Sequence, residues 1–351
     1  MKKLGFGLMR LPLLDKDDYS SIDIERFKNM ADTFLANGFT YFDTAYPYHR
    51  GNSEVAFREA VVKRYPRSAY TITDKLSLFM IHDEKEIPGF FEKQLQQLGV
   101  DYVDYYWLHG LNGRTYQQAE EMHAFEFIQA KKAEGKIRHI GLSFHDKAAL
   151  LDEILTAHPE LEYVQIQLNY LDWNDPAVES RLCYEVVVKH NKPVIVMEPV
   201  KGGSLIQIPE TAKQLFKETH PELSTASWAI RFAASPSHVM MVLSGMSDEP
   251  QVEDNVMMGM FRKAAHTQQT SKIRTWSLRV IAVLLAICGI HAFVKNRISS
   301  YLFLRTQFVF IDFSQPVVLA LLDYLAIIAF FAVIVYYISK LIKMQVKMQK
   351  K

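Results

Sequence analysis

The sequence predicts an α/β protein whose first part is a (β/α)₈ barrel of the TIM type. Short apolar runs rich in β-branched and aromatic residues alternate with segments of helical periodicity. Eight such runs occur before residue 263, which fits eight βα units better than an open doubly wound sheet. A dinucleotide-binding Rossmann motif is weak, because Gly5-Phe6-Gly7 lacks a third glycine and opens no helix.

The strands and helices follow one another in strict alternation. The predicted strands are Leu4–Met9, Thr40–Asp43, Tyr70–Thr73, Val103–Leu108, His139–Leu142, Tyr163–Leu168, Val194–Met197 and Val239–Leu243. The predicted helices are Ile22–Asn37, Ser53–Arg64, Pro88–Leu98, Tyr116–Glu134, Asp146–Ala157, Pro176–Asn191, Thr225–Ala234 and Pro250–Phe261. Gly38 and Gly135 mark two helix ends, and Asn52 caps a helix start. Such alternation predicts right-handed βαβ units and a parallel sheet.

Composition excludes several classes of protein. A hydrophobic content of 49% with 12% aromatic residues excludes a disordered chain. The formal net charge of +1, with no basic stripe, predicts no nucleic-acid partner. Only two cysteines occur, Cys183 and Cys288, so we expect no disulfide framework, no cysteine-based metal site and no iron–sulfur cluster.

The last part of the chain has a different character from the rest. From Trp276 onward apolar residues dominate and charged residues are scarce until Lys340. We therefore predict a barrel over residues 1–263, a linker over 264–275, a two-helix transmembrane hairpin over 276–339 and a basic cytoplasmic tail over 340–351. Lysines and arginines flank both ends of the hairpin, which places the barrel in the cytoplasm. Two buried helices of a soluble domain, or a fusion of unrelated coding segments, are the alternatives.

Four polar side chains follow three consecutive predicted strands. Asp43 and Tyr48 follow the second strand, Lys75 the third and His109 the fourth. Because catalytic residues of such barrels lie at the carboxyl ends of the strands, all four are expected on one rim. Singly, each is more typical of a loop cap, a surface residue or a packed side chain. Together, an acid, a phenol, an amine and an imidazole are the parts of a proton-transfer site, which predicts a carbonyl reductase.

Several short motifs extend this pattern along the chain. They are Asp43-Thr44-Ala45 with Tyr48, Thr73-Asp74-Lys75, Leu108-His109-Gly110, Gly141-Leu142-Ser143, Gln165 with Asn169, and Glu198-Pro199 with Gly202-Gly203. Over residues 1–262 the chain resembles the aldo-keto reductase family. Its opening, Gly5 to Pro12, is similar to a bacterial branch that usually carries a C-terminal ferredoxin-like segment; here a hydrophobic tail replaces that segment. The apolar tail, taken with this resemblance to a bacterial branch, predicts an anchor in a bacterial inner membrane.

The resemblance also implies hydride transfer between NADPH or NADH and an aldehyde or ketone. Tyr48 would donate the proton, and its phenol has an ordinary pKa of roughly 10. Lys75 would lower that pKa, with Asp43 holding Lys75 in place. His109 would donate a hydrogen bond that orients the carbonyl.

The cofactor residues implied by the resemblance come from the later strands. Ser143 and Gln165 would hold the nicotinamide carboxamide, and Met197 would pack on the ring. The remaining positions are Pro199, Lys201, Gly202 and Gly203 for the pyrophosphate, and Ser244, Gly245, Gln251, Asp254 and Asn255 for the adenosine end. Members selective for NADPH usually have basic residues at the positions of Gly245 and Gln251, so both cofactors stay open. Lys201, or a basic residue brought in by folding, could substitute.

A second function class stays open at this stage. Some barrels of this family are subunits associated with channels. The chain could therefore be a catalytically weak, cofactor-sensing or regulatory subunit of a membrane partner. The partners expected on the first hypothesis are a small carbonyl substrate and the lipid bilayer.

Overall fold

Eight parallel strands close into a barrel. The computed structural model describes residues 2–257, which fall within a compact unit, Met1–Lys263. The strands are β1 (Leu4–Gly7), β2 (Tyr41–Asp43), β3 (Thr71–Leu76), β4 (Val103–Leu111), β5 (Ile137–Phe144), β6 (Tyr163–Gln167), β7 (Val194–Met197) and β8 (Val239–Gly245). They are ordered β1 to β8 around the barrel, and β8 pairs with β1. The predicted eight-stranded parallel barrel is confirmed.

Helices surround the barrel and differ from the prediction at three places. They are α1 (Ile24–Ala36), α2 (Ser53–Phe57), α3 (Ile87–Leu98), α4 (Gly113–Glu121), α5 (Ala124–Ala133), α6 (Ala148–Ala157), α7 (Ser180–Lys189), α8 (Glu210–Thr219), α9 (Thr225–Ala234) and α10 (Glu249–Met257). The single helix predicted over 116–134 is two helices, because His123 adopts a left-handed φ of 50° between them. After α2 the chain continues as a π-helical turn, Arg58–Val62. Helix α8 was not predicted.

The inside of the barrel is filled by large side chains. Tyr41, Tyr105 and Trp107 pack there with an apolar group that consists of Ile195, Met241 and Leu243. Glycines leave the room that these side chains need. A Cβ atom on Gly5 would lie 2.7 Å from Leu243, and one on Gly141 would lie 2.3 Å from the Tyr163 carbonyl oxygen. Small residues opposite large ones are how a narrow barrel accommodates its core.

Strand alternation decides which polar residues enter the barrel. In β2, Tyr41 packs in the interior, and Phe42 packs outward against Phe6 of β1 and Phe34 of α1. Since side chains alternate along a strand, Asp43 returns to the inner face where β2 ends. The same period in β3 places Lys75 inward and its neighbour Asp74 outward.

The predictions for the C-terminal part fall outside the described residues. The linker over 264–275, the hairpin over 276–339 and the basic tail over 340–351 all lie beyond residue 257, where the description ends. Within residues 2–257, no helix combines the length and the apolar character that crossing a membrane requires.

We expect Gly141→Ala to lower the free energy of unfolding by at least about 2 kcal/mol, because the added methyl group has no space. It would lie 2.6 Å from the Trp107 ring as well as against backbone. Urea unfolding of the full chain measures the change. Gly89→Ala is the matched control, since nothing lies within 4 Å of its added Cβ and alanine favours the helix by up to about 1 kcal/mol. Equal stability of the two variants would contradict the packing argument.

Candidate active site

The structure brings Asp43 and Tyr48 into contact with the ammonium group of Lys75. Lys75 Nζ donates to Asp43 Oδ1 at 2.6 Å and to the Thr44 carbonyl oxygen at 2.6 Å. The same nitrogen lies 3.4 Å from the Tyr48 hydroxyl. Lys75 and Asp43 are buried, at 1% and 3% exposure, whereas Tyr48 is half-buried at the mouth of the barrel. One buried cation therefore joins an acid and a phenol that come from different segments.

Charge and burial act against each other in this group. Burial lowers the pKa of the Lys75 amine, but Asp43 and Tyr48 raise it by a larger amount. The net pKa is therefore above its ordinary value, and the amine stays protonated. Burial raises the pKa of Asp43, and Lys75 opposes that rise. Burial also raises the pKa of the Tyr48 phenol, which Lys75 opposes without cancelling it. Lys75 lowers the pKa of Tyr48, as the sequence predicts, but the opposite effect of burial is larger.

His109 faces Tyr48 from β4. The two ring centroids are 6.0 Å apart with the planes at 84°. His109 Nδ1 forms a 2.7 Å hydrogen bond with Ser77 Oγ. Burial, together with the charge of Lys75 and the neighbouring His145, lowers the pKa of His109 well below its ordinary value. The imidazole is therefore neutral at physiological pH.

The turn that carries Tyr48 is held by a buried histidine that the sequence did not single out. His49, Arg50 and Gly51 have φ values of 51°, 56° and 90°, so the chain turns sharply just after Tyr48. His49 is fully buried; its Nε2 accepts from the Leu11 N–H at 3.2 Å, and its Nδ1 lies 2.8 Å from the Tyr19 carbonyl oxygen. These bonds fasten the Tyr48 turn to the segment after β1.

A second buried group lies behind Lys75, on the outer face of β3. Glu54 and Asp74 are both fully buried, and burial together with the neighbouring Asp74 carboxyl group raises the pKa of Glu54 well above its ordinary value. Gln94 Nε2 donates to Glu54 Oε1 at 3.2 Å and to the Lys75 carbonyl oxygen at 3.0 Å. The Lys75 backbone is thus held from α3 while its side chain is held from β2.

Ser143, near the end of β5, and Gln165, in the middle of β6, are paired in register by the two strands. Ser143 Oγ accepts from the Gly110 N–H at 2.8 Å. Gln165 is buried, and its Oε1 atom has no hydrogen-bond partner within the described residues. An unpaired buried oxygen is costly, so its presence indicates a missing donor. Met197 is the last residue of β7.

The loop after β7 has an unusual backbone. Glu198, Lys201, Gly202 and Gly203 all have positive φ values, at 56°, 47°, 63° and 96°. Lys201 Nζ forms an ion pair with the fully buried Asp172. The lysine that we expected at the pyrophosphate therefore fastens its own loop to the segment after β6. Pro199 lies within this loop, between Glu198 and Lys201.

At the end of β8 the predicted polar side chains form hydrogen bonds within the protein. Asn255 Nδ2 donates to Ser244 Oγ at 2.8 Å. Asp254 Oδ2 accepts from the Ser224 hydroxyl at 2.6 Å. Gln251 Oε1 accepts from the Ser247 N–H at 2.9 Å. These side chains build the end of the barrel.

Arg10 is the basic residue that folding brings to this region. A Cβ atom on Gly202 would lie 3.1 Å from Arg10 Nη2, and one on Gly245 would lie 3.2 Å from Arg10 Cδ. The Arg10 stem thus packs on Gly245, and its guanidinium reaches the loop after β7. It is exposed, and within residues 2–257 the guanidinium has no ion pair or hydrogen bond. The sequence offered no signal for it beyond a charge after β1.

Comparison with known proteins identifies the family. The profile described as the aldo/keto reductase family matches residues 3–274 of the 351 in the chain. The protein is an aldo-keto reductase. It is accordingly an NAD(P)-dependent oxidoreductase. The match extends past Lys263 into the segment predicted as a linker, and membership of the branch with a ferredoxin-like segment stays a prediction.

Individual aldo-keto reductases and other oxidoreductases are distant relatives. An uncharacterized oxidoreductase from Schizosaccharomyces pombe is 26% identical over 78% of this chain and 84% of its own length. The NADH-specific methylglyoxal reductase of Escherichia coli is 26% identical over 62% of this chain and 78% of its own. Among solved structures, an aldo-keto reductase from Klebsiella pneumoniae in complex with NADPH has a TM-score of 0.57 at 18% identity, covering 77% of this chain and 90% of that one. At this identity the structural likeness shows the fold.

The residues of this aldo-keto reductase fit a nicotinamide cofactor at two points. The unpaired Gln165 Oε1 is an acceptor for the amide N–H of a carboxamide group, and Ser143 lies beside it. A Cβ on Gly203 would meet nothing within 4 Å, so a ligand can approach the backbone there. Within residues 2–257, no group of His, Cys, Asp and Glu side chains has the arrangement of a metal site.

The Glu54–Asp74 pair makes stability depend on pH. Burial raises the pKa of Asp74 to about 7, whereas an unfolded Asp ionises near 4. The folded state therefore holds more protons between those values, so this group's contribution to stability decreases as pH rises through the window. We expect the stability advantage of the wild type over Asp74→Asn to decrease by at least about 1 kcal/mol between pH 4 and pH 7.

Urea unfolding at several pH values measures this difference. Asp17→Asn, in an exposed loop, is the control and should follow the wild-type pH dependence. A constant difference between the wild type and Asp74→Asn across the window would show that the pair does not titrate there.

Proposed function

We propose that this protein reduces the carbonyl group of a small aldehyde or ketone with NADPH or NADH, with Tyr48 as the proton donor. The observation that carries the proposal is the contact of Lys75 Nζ with both Asp43 and the Tyr48 hydroxyl at the barrel mouth. A reduced nicotinamide, when bound, would supply the hydride that the carbonyl carbon receives. The carbonyl oxygen then needs a proton, and Tyr48 is the hydroxyl beside the site that can give it.

The side chains around Tyr48 have separate roles in the proposed proton transfer. Lys75 stabilises the phenolate that Tyr48 becomes once its proton has left. Asp43 keeps the Lys75 ammonium in place and balances its charge. His109 is neutral, so it adds a hydrogen bond to the carbonyl oxygen without adding a charge. The raised pKa of Tyr48 in the free protein means that the phenol is fully protonated before the reaction, as a donor must be.

Apolar side chains beside His109 support a substrate with an apolar substituent. Phe79 is 52% exposed, and its ring centroid lies 5.5 Å from that of His109. Met80 and Met9 are also exposed at this end of the barrel. By its name, the relative from Escherichia coli acts on methylglyoxal. A second relative from Schizosaccharomyces pombe, 26% identical over 59% of this chain, is named an NAD/NADP-dependent indole-3-acetaldehyde reductase. An aldehyde is therefore the substrate class that we favour.

Residues from β5 to β8 would hold the cofactor. Ser143 and Gln165 would bind the carboxamide, and Met197 would pack against the nicotinamide ring. The loop from Pro199 to Gly203 would lie along the pyrophosphate, with Arg10 as its cation. At the adenosine end, Ser244, Gly245, Gln251, Asp254 and Asn255 provide no positive charge for a 2′-phosphate.

A cofactor-sensing or regulatory role is the second candidate. The net rise in the pKa of Tyr48 favours it, since burial makes the phenol a weaker acid than Lys75 alone would. That role requires cofactor binding with negligible turnover. The membrane anchor over 276–339 and a membrane partner rest on the sequence alone, and they stay proposals.

We expect Tyr48→Phe to lower kcat for aldehyde reduction by about 10²- to 10⁴-fold, because the proton donor is lost. The dissociation constant for the cofactor should change little, since the hydroxyl does not hold it. Steady-state kinetics and fluorescence titration of the full chain measure both. Tyr65→Phe is the control; its hydroxyl bonds to Asp32 on the barrel exterior. Tight cofactor binding without turnover in the wild type would instead support the regulatory role.

We expect Arg10→Ala to weaken NADH and NADPH binding to a similar extent, by about 5- to 100-fold. The reason is that its guanidinium lies at the loop after β7 and would contact the pyrophosphate, which both cofactors share. Titration with each cofactor measures the effect. Arg50→Ala, an exposed arginine near Asp18, is the control. A loss confined to NADPH would place Arg10 at the 2′-phosphate instead.

A further inference from the structure

Ser77 is a buried serine at the start of a helical turn, and its side chain does not cap that turn. It follows β3 and precedes the 3₁₀ turn Leu78–Met80 as its N-terminal cap residue. Serine at this position normally accepts from a backbone N–H of the following turn. Here the side chain makes no such bond. It is fully buried and directed instead toward β4.

The hydroxyl of Ser77 has one hydrogen-bond partner within the described residues. That partner is His109 Nδ1, at 2.7 Å. The other ring nitrogen of His109, Nε2, has no partner among residues 2–257, and it is not closed off from solvent. One nitrogen of the imidazole is thus engaged in the protein, and the other is free at the barrel mouth beside Tyr48.

The hydrogen bond between Ser77 and His109 can have either residue as the donor, and the two arrangements differ in energy. A neutral imidazole carries one N–H and one acceptor nitrogen. If Nδ1 carried the hydrogen, Ser77 would accept it, and the buried serine O–H would have no acceptor within residues 2–257. An unsatisfied buried donor is unfavourable. If Ser77 donates to Nδ1, every group is satisfied and the ring hydrogen lies on Nε2.

We propose that Ser77 is a positioning residue that fixes His109 as the Nε2–H tautomer. The free N–H then points to where the substrate carbonyl oxygen lies in the proposed reaction. That oxygen receives two donors, the Tyr48 hydroxyl and His109 Nε2–H. The other tautomer would present a lone pair to the oxygen and repel it. This assignment rests on the proposed function for its consequence, but the tautomer itself does not depend on turnover.

Surrounding groups keep the ring in the neutral form that this role requires. Burial, the Lys75 ammonium and His145 all lower the pKa of His109. The ring also packs against the rings of Tyr48 and Phe79, with centroid distances of 6.0 and 5.5 Å. Its rotation is therefore restricted, and the Ser77 bond decides which nitrogen bears the hydrogen.

Nitrogen-15 NMR of histidine-labelled protein tests the tautomer directly. The chain has 12 histidines, so a difference spectrum against His109→Gln assigns the ring signals. We expect the wild type to show a protonated Nε2 and an unprotonated Nδ1. Ser77→Ala should shift both signals toward a mixture of the two tautomers, and Ser77→Thr, which keeps the hydroxyl, should restore the wild-type pattern.

Kinetics with an aldehyde test the consequence. Ser77→Ala should lower kcat/KM by about 5- to 30-fold, the effect of one lost orienting hydrogen bond. Ser77→Thr should recover most of this loss, and Ser77→Cys serves if the threonine methyl group prevents folding. Ser227→Ala, a buried serine of α9 outside the site, is the control.

Three outcomes overturn the proposal. The first is an Nδ1–H tautomer in the wild type, and the second is an unchanged tautomer in Ser77→Ala. The third is a loss of activity in Ser77→Ala that its lower melting temperature explains in full. Absence of turnover in the wild type would overturn the proposed function instead. The NMR result would still decide the role of Ser77 in that case.

Discussion

The buried ion pair between Lys75 and Asp43 is the constraint on which the rest of the site depends. A charged amine cannot remain inside a barrel unless a partner of opposite charge and further acceptors surround it. Asp43 and the Thr44 carbonyl oxygen provide these, and both require the ends of β2 and β3 to lie in the observed register. Any slip of one residue would turn Lys75 out of the barrel. The pair thus links strand register to the position of Tyr48.

Adjacent residues of β3 serve opposite sides of the barrel wall. Lys75 points into the site, and Asp74 points to the helices, where Glu54 and Gln94 meet it. The two sides are connected through the Lys75 backbone, whose N–H donates to Asp74 Oδ1 at 2.8 Å. A rigid wall behind the ammonium limits how far it can move when a phenolate forms in front of it. The polar layer on the outside therefore contributes to the order of the site.

Much of the fold could be predicted because its signals are local and repeated. The eight strands and the shared rim of Asp43, Lys75 and His109 follow from alternation and from the geometry of parallel barrels. The break at His123 was missed, since nothing in its neighbours requires a left-handed residue there. Helix α8 was missed as well; its apolar residues Ala212, Leu215 and Phe216 are few in a polar segment, and none of them is buried.

The supporting residues of the site were harder to find for a different reason. His49, Ser77 and Arg10 act through partners far away in sequence, such as Leu11 for His49 and Gly202 for Arg10. A residue of this kind has no characteristic spacing, and a single sequence cannot show its partner. Lys201 is a related case. Its contact with the pyrophosphate stays a prediction, and its ion pair with the buried Asp172 is a contact that the sequence could not show.

The closing seam between β1 and β8 has a consequence for the life of the protein in a cell. The Ser247 hydroxyl donates to the Arg10 carbonyl oxygen at 2.8 Å across this seam, so the first and last strands of the barrel are fastened side by side. On the proposed assignment, the cofactor lies over the same junction, between Arg10 and the loop after β7. A ligand that bridges the two ends of a folding unit binds only the closed form and resists its opening. The concentration of the cofactor would then affect how often the barrel opens to a protease, as well as the rate of the reaction.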